Sequence, residues 1–157
     1  MAATNTCQEC DLAGADLHLA YLREANLTKA NLTKANLEKA ILTKANLAGA
    51  DLRGTVLGVA FLPLADLREA DLERVDLSHA SLRGANLERA NLERANLEKA
   101  DLAGADLAGA DLAGADLRGT VLTGAVLRDA KIDFADFTKA KFCNTVMPDG
   151  QRIFKDC

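Results

Sequence analysis

Apolar residues recur along this chain with a period of five. Every fifth residue from Leu12 to Leu127 is leucine, which makes 24 leucines in register, and Ile132, Phe137 and Phe142 extend the series to 27 apolar positions. Two residues before these positions the chain has alanine in 23 of 27 cases. The residue between the two is Asp or Asn in 18 of 27 cases, so the unit reads A-(D/N)-L-x-x.

A five-residue period fits neither an α-helix nor a continuous strand. On a helix it spreads the leucines over every face, and on a strand an odd period sends successive leucines to opposite faces. Within one unit, however, alanine and leucine are two residues apart and share one face of a short extended segment. The two remaining residues must turn the chain, and glycine suits the second of them. The sequence therefore predicts a coil wound around inward-facing leucines.

The repeated units resemble the pentapeptide-repeat family. The resemblance covers residues 10–145 and is carried by runs such as ANLTKANLTKANLEKA and ADLAGADLAGADLAGADLRG. It implies an all-β fold, a right-handed quadrilateral parallel β-helix with four pentapeptides per turn. The 27 units then form about seven coils, stacked about 4.8 Å apart. The framing cysteines and the M-P-D-G tail are similar to those of cyanobacterial members of the family.

The chain is predicted to have three parts. Residues 1–9 form an N-terminal cap, residues 10–145 the solenoid, and residues 146–157 a C-terminal cap or tail that leaves the repeat at Pro148. Both ends of a solenoid expose core and unpaired backbone, so caps are required. Large side chains near the C-terminus are expected to seal that end: Phe134, Phe137, Phe142 and Phe154.

Four cysteines occur in two pairs, Cys7 with Cys10 and Cys143 with Cys157. Four cysteines could hold zinc, but the two pairs lie at opposite ends of the predicted rod, about 30 Å apart. Each pair is expected to be a disulfide that holds its own cap or a pair of buried thiols. Redox chemistry and metal binding are the remaining alternatives.

The charge pattern excludes several partner classes. The net charge is −4, from 19 basic and 23 acidic residues, which is not the basic footprint of a nucleic-acid binder. No stretch approaches the roughly 20 apolar residues of a membrane span, so membrane insertion is not expected. The start, MAATNTCQEC, lacks the features of a signal peptide. We therefore expect a cytoplasmic protein, or a periplasmic or thylakoid-lumen protein if a leader has been removed.

The sequence lacks the residues that an active site requires. Enzymes need convergent groups in a pocket, and the two histidines, His18 and His79, fall three coils apart in the predicted register. The sequence predicts no enzyme, no cofactor and no metal site. The many Asp and Asn residues could suggest a calcium solenoid. Their fixed outward positions favour spacers that satisfy neighbouring backbone groups.

One side of the predicted rod departs from the Asp/Asn rule. Its middle residues begin with Tyr21, Ile41 and Phe61, which should stack on successive coils. Together with Leu64, and with Leu19 and Val59 at the preceding corner, they form a candidate partner surface, since a contiguous exposed apolar patch usually marks an interface. Pro63 also interrupts the local unit here. The alternative is that these residues pack against the N-terminal segment or tolerate solvent.

Two function classes follow. The first is a non-catalytic protein-binding or scaffolding solenoid, with an unidentified protein or a second copy (a homodimer) as partner. The second comes from the family's quinolone-resistance members, which mimic DNA and bind type II topoisomerase. Such mimicry requires a strongly acidic rod, whereas the net charge here is −4. Those members also favour Phe at the inner position, where this chain has leucine.

Overall fold

The chain folds as a stack of coils in which each five-residue unit supplies one short extended segment and one β-turn. The computed structural model describes residues 6–157. Isolated parallel bridges join each middle residue to the middle residue 20 positions later, from Thr6 and Asn26 to Val126 and Val146. Four units therefore complete one coil of a parallel β-helix. The extended segments are so short that they form single bridges and not strands.

The bridge ladder begins at Thr6, within the segment 1–9 that the sequence places in the N-terminal cap. Cys7 takes the position that leucine holds in later units, and its N–H donates to the carbonyl of Asn26 at 2.7 Å. The unit was not predicted because its inner residue is cysteine. The rest of the expected cap, residues 1–5, lies outside the described residues.

Two short strands close the C-terminal end. β1 comprises Thr145–Val146 and β2 comprises Arg152–Ile153, and the two pair antiparallel. The turn between them contains Asp149, whose carboxylate accepts the N–H of Gln151 at 3.0 Å. Among the described residues, no helix is long and apolar enough to cross a membrane.

Hydrogen bonds to both neighbouring coils satisfy most of the backbone. The middle residue donates to the preceding coil, and the inner leucine and the second turn residue donate to the next coil. The residue at the alanine position donates back to the leucine three residues earlier and so closes a β-turn. For Asn46, Leu47, Gly49 and Ala50, these four donor–acceptor distances lie between 2.7 and 3.0 Å. Only the N–H of the first turn residue needs an acceptor from elsewhere.

The Asp or Asn side chain supplies that acceptor. All 18 Asp and Asn residues at middle positions accept the N–H of the residue two positions later, for example Asn46 from Ala48 at 3.0 Å. These are Asx turns, in which a short polar side chain replaces a backbone acceptor. The Asp and Asn residues thus satisfy neighbouring backbone groups, as the sequence predicts.

The second turn residue always has a positive φ. This left-handed conformation occurs at 19 non-glycine residues besides glycines such as Gly104, with φ +68°. It is the geometry of a type II turn, which favours glycine because other L-residues are strained there. The sequence predicts glycine at these corners, but Lys, Arg and Glu occupy many of them because the ladder bonds on either side enforce the turn.

The core is a column of stacked leucine and alanine. Leucines from Leu27 to Leu127 are fully buried or nearly so, with the alanine positions beside them. Three threonines replace alanine there and stay buried, namely Thr55, Thr120 and Thr145. Each donates its hydroxyl to a backbone carbonyl, as Thr55 does to Leu32 at 2.7 Å. A buried hydroxyl is tolerated because it is hydrogen-bonded.

The phenylalanines seal the C-terminal end only in part. Phe137 and Phe142 lie at inner positions, pack against the core and have ring centroids 5.8 Å apart. Phe134 is 96% exposed and Phe154 is 60% exposed, so the prediction that both help to seal the end is wrong. Phe134 points outward because it is the second turn residue of its unit, which never faces the core.

Arginine within the turn lowers the pKa of several middle aspartates. The hydrogen bond from the Arg118 side chain, with Nη2 at 2.6 Å from Oδ2, is the main cause that lowers the pKa of Asp116 below its usual value. The corresponding arginines lower the pKa of Asp51 and of Asp66. The folded state therefore favours the ionised carboxylates.

We expect Gly104→Ala to cost about 1 kcal/mol of stability. An added Cβ meets nothing within 4 Å there, so the cost comes from the left-handed backbone alone. Gly58 is the matched control, because it lacks a positive φ and an added Cβ meets its nearest atoms at 3.7–3.9 Å. Gly58→Ala should be neutral or stabilising by up to about 1 kcal/mol. Urea unfolding midpoints measure both, and equal effects would contradict the turn assignment.

Asp116→Asn should lower stability at pH 7 by less than about 1 kcal/mol, since the ion pair is largely exposed. The asparagine of the variant can still accept the Arg118 N–H in the Asx turn, so only the ion pair with the Arg118 side chain is lost. Because the folded pKa lies below the unfolded value of about 3.9, the wild-type advantage exists above that pH and disappears as the pH falls through the folded pKa.

Urea midpoints at pH 7 and at about pH 2 measure the advantage of Asp116. Asp106→Asn is the control, because its turn holds Ala108 and Gly109 and no basic residue. A wild-type advantage that persists unchanged at the lower pH would refute the pairing as its source.

Candidate partner-binding surface

The structure brings three of the predicted surface residues into one stack. Bridges join Tyr21 to Ile41 and Ile41 to Phe61, so the three lie on successive coils of one side. Tyr21 is 67% exposed and Phe61 48%, while Ile41 between them is half-buried. Leu64, at the corner that follows Phe61, is 57% exposed. The four predicted residues thus form one continuous apolar area.

This area extends around the preceding corner. Leu19 and Val59 are exposed at that corner, next to Tyr21 and Phe61. Val56, on the neighbouring side, is also exposed and was missed by the sequence reasoning. Its signal was available, since Val56 occupies a middle position without being Asp or Asn. We call the whole set the apolar surface: Leu19, Tyr21, Ile41, Val56, Val59, Phe61 and Leu64.

Pro63 completes the turn at this surface and does not interrupt the unit, contrary to the prediction. It is the first turn residue, Leu64 after it has φ +58°, and Ala65 donates to the Leu62 carbonyl at 3.2 Å. Proline is favoured at this position of a type II turn. The Phe61 side chain has no acceptor for the N–H of the residue two positions later. That residue is Pro63, which has no N–H, so no acceptor is needed.

Leu64 leans along the rod toward the next coil. A Cβ added to Gly84, one coil further on, would lie 2.9 Å from a terminal methyl of Leu64. The absence of a side chain at Gly84 therefore leaves room for Leu64. The same arrangement occurs where the stem of Lys29 lies beside Gly49. The Leu64 side chain therefore lies along the rod surface at the corner next to Phe61.

Charged residues lie within and next to the apolar surface. Lys39 lies between Leu19 and Val59 in the corner column, and its Nζ is 3.2 Å from Glu38 Oε1. One coil after Pro63, Arg83 Nη1 donates to Asp101 Oδ2 at 2.8 Å. An apolar centre with a polar, charged rim is the usual composition of a protein–protein interface.

The predicted cysteine pairs lie at the two ends of the rod, away from the apolar surface. A disulfide joins Cys7 to Cys10 within one β-turn, and a second joins Cys143 to Cys157. The second bond ties the end of the tail to the turn after Phe142. Its position is reinforced by the Phe142 N–H, which donates to Asp156 Oδ2 at 2.8 Å.

The described residues do not form a metal-binding cluster, and the two histidines lie far apart. Within residues 6–157, no cluster of three or more His, Cys, Asp and Glu side chains has the geometry to hold a metal ion. His18 Nδ1 lies 3.9 Å from Glu38 Oε2, and His79 belongs to a corner three coils further along. The carboxylates of the aspartates at middle positions accept backbone N–H groups in Asx turns, as Asp106 does from Ala108 at 3.0 Å.

Comparisons with known proteins agree with this architecture. The family model described as pentapeptide repeats matches in overlapping segments over residues 6–38, 20–58, 45–84, 70–108 and 105–144. A comparison with curated proteins finds no match.

Solved structures with similar folds include proteins from cyanobacteria. HetL, a pentapeptide repeat protein involved in heterocyst differentiation regulation from Nostoc sp. strain PCC 7120, is 40% identical over 96% of this chain and 73% of its own, with a TM-score of 0.46. A second pentapeptide repeat protein from Nostoc PCC 7120 is 39% identical over 48% of this chain and 63% of its own, with a TM-score of 0.48.

A third solved structure supports the fold alone. QnrB1, a plasmid-mediated fluoroquinolone resistance protein, is 22% identical over 87% of this chain and 79% of its own, with a TM-score of 0.62. Pentapeptide-repeat proteins of known structure are right-handed β-helices. The bridge register, the repeated unit and the family match over most of the sequence lead to one conclusion: this chain belongs to the pentapeptide-repeat family.

Proposed function

We propose that this chain is a non-catalytic protein-binding or scaffolding solenoid whose partner docks on the apolar surface. The observation that carries the proposal is that six of the eight exposed large hydrophobic side chains among the described residues lie on this one surface. A contiguous exposed apolar patch on a protein of this size usually marks an interaction site. The partner is a protein, because a flat apolar area with a charged rim matches protein interfaces.

The fold does not need these apolar side chains. The Asx acceptor that Asp or Asn gives elsewhere is missing at four middle positions of the surface: Tyr21, Ile41, Val56 and Phe61. The core beneath them consists of the same leucine and alanine as on the other sides. Apolar residues at these positions give up a side-chain acceptor and expose apolar area, which is understandable where a function requires them.

The backbone beneath the surface is fixed from both directions along the rod. Phe61 donates to the Ala40 carbonyl at 2.9 Å, and Leu62 donates to the Ser81 carbonyl at 2.7 Å. A surface that is already ordered loses little conformational entropy when a partner binds, so more of the contact energy contributes to affinity. This rigidity suits a spacer or scaffold.

The two disulfides favour an oxidising compartment for this protein. Disulfides persist in secreted, periplasmic and luminal proteins and are rare in the reducing cytosol. The pairs Cys7–Cys10 and Cys143–Cys157 therefore support a periplasmic or thylakoid-lumen location over the cytoplasmic one that the sequence start suggests.

The charges of the rod give no support to DNA mimicry. Several outward aspartates have asparagine on the next coil, as where Asn91 Nδ2 donates to Asp71 at 2.9 Å. Others pair with arginine or lysine in the same turn or the next coil, such as Asp116 with Arg118. A continuous acidic stripe is what would attract a DNA-binding enzyme, and these pairings interrupt it. We therefore favour the apolar surface as the site of recognition.

Replacing Tyr21, Ile41 and Phe61 by lysine should abolish partner binding. Three charges in the centre of an apolar interface must be desolvated without a partner, and a buried unpaired charge costs about 3–5 kcal/mol. The loss corresponds to at least about a hundredfold in affinity. Affinity capture from native cell extract, followed by quantification of each retained protein, measures it.

A matched control places lysine at Val121, Thr123 and Val126, which lie further along the rod, away from the apolar surface, and take part in no Asx turn. This variant should retain the partner that the first variant loses, provided that circular dichroism shows the same β-type spectrum for both. Equal retention by both variants, or the same loss from both, would count against the apolar surface as the binding site.

A further inference from the structure

The C-terminal end of the rod carries backbone donors without acceptors. In the preceding coil, Leu112 and Gly114 donate to the carbonyls of Lys131 and Asp133, each at 2.8 Å. The equivalent donors of the last coil face the end of the rod, and no residue of 6–157 accepts from them: the N–H groups of Ile132, Phe134, Phe137 and Lys139. Two of the four sides are therefore open β-edges.

The N-terminal end carries the complementary acceptors. Carbonyls that take ladder bonds in later coils receive none in the first coil from any described residue: those of Asp11, Ala13, Asp16 and His18. In the ladder, the inner residue and the second turn residue each donate to a carbonyl 19 residues further on. If a second copy continued the stack in register, with its Asp11 following Lys131 by one coil, all four donors would meet these four carbonyls in order.

The outward side chains at the two ends also match. Lys131, which is 3.0 Å from Asp111 on one side, would have Asp11 of the second copy on the other. Phe134, 96% exposed, would lean toward Gly14, where an added Cβ meets nothing within 4 Å. This repeats the packing of Arg94, whose stem lies 3.5 Å from the Cβ position of Gly114.

The C-terminal tail occupies the place that the second copy requires. The bridge from Val126 to Val146 puts Val146 where Thr6 of a following coil would lie. From there β1 and β2 fold back across the end. The tail is held by the Cys143–Cys157 disulfide and by the hydrogen bonds that Phe142 and Asp156 exchange.

We propose that the C-terminal end of the rod is a docking surface for the N-terminal end of a second copy. The C-terminal tail competes for this surface and thereby keeps the protein monomeric. Displacing the tail exposes a heterologous interface, which does not close on itself and therefore builds rows of rods. The inference rests on the rod ends and is independent of the apolar surface.

A released-tail variant tests the proposal: Cys143→Ala, Cys157→Ala and Asp156→Ala in the full chain. Sedimentation velocity over a concentration series should show one monomeric species for the wild type. For the released-tail variant, the weight-average mass should rise with concentration beyond that of a dimer. The two cysteine substitutions alone provide a milder release if circular dichroism shows that the triple variant loses its fold.

Charge exchange identifies the interface. In the released-tail background, Asp11→Lys or Lys131→Asp alone should weaken association by about fivefold, because each creates a like-charge pair across the junction. An equimolar mixture of the two chains restores opposite charges at every junction and should restore association. Asp16→Asn should strengthen it, because the wild-type junction sets Asp16 against Asp136, and Asn36 already bonds Asp16 in this manner at 3.2 Å.

Two results would overturn the proposal. One is a folded released-tail variant that stays monomeric at every concentration. The other is association that stops at a dimer or is indifferent to the exchange between positions 11 and 131, since either behaviour requires a different interface.

Discussion

A backbone that turns after every five residues must find an acceptor for the N–H that opens each turn, and the fold depends on how this is done. The other four N–H groups of a unit are satisfied by the adjacent coils and by the β-turn itself. In 18 of the 27 units the fifth is satisfied by Asp or Asn at the middle position, as in the Asx turn of Asn46. The polar half of the repeat is therefore structural, just as the leucine column is.

This constraint gives meaning to the positions that lack Asp or Asn. Where the middle residue is apolar, the backbone loses an acceptor and the surface gains exposed apolar area, as at Tyr21 and Phe61. At Phe61 the loss is offset by Pro63, which removes the donor. Nine of the 27 middle positions lack Asp or Asn, and four of these nine lie together at the apolar surface beside exposed apolar corner residues. This clustering is the physical basis for assigning the apolar surface to binding.

Periodicity alone could predict most of the architecture. The inward leucines, the short extended segments and the outward Asp and Asn all follow from counting in fives. The family resemblance was required for the handedness and for the four units per coil, on which the stack of Tyr21, Ile41 and Phe61 depends. The left-handed conformation of residues such as Lys34 could not be predicted, because propensity favours glycine there and only the ladder bonds impose the turn.

The rod ends were harder to predict than its middle. The first described unit was not recognised in the sequence, because Cys7 occupies the inner position that leucine occupies in the later units. The number of phenylalanines near the C-terminus suggested a seal, although the position of Phe134 in its unit already pointed outward. The tail leaves the repeat, so its path across the end follows from pairing and a disulfide that no periodicity encodes.

The most direct measurement of the central claim is site-specific photo-crosslinking in native extract. A benzophenone-bearing phenylalanine analogue replaces Phe61 in one chain and Val121, on the same side, in another. The account predicts a discrete covalent adduct with a protein partner from position 61 and none from position 121. Adducts of equal yield from both positions, or an adduct from position 121 alone, would contradict it.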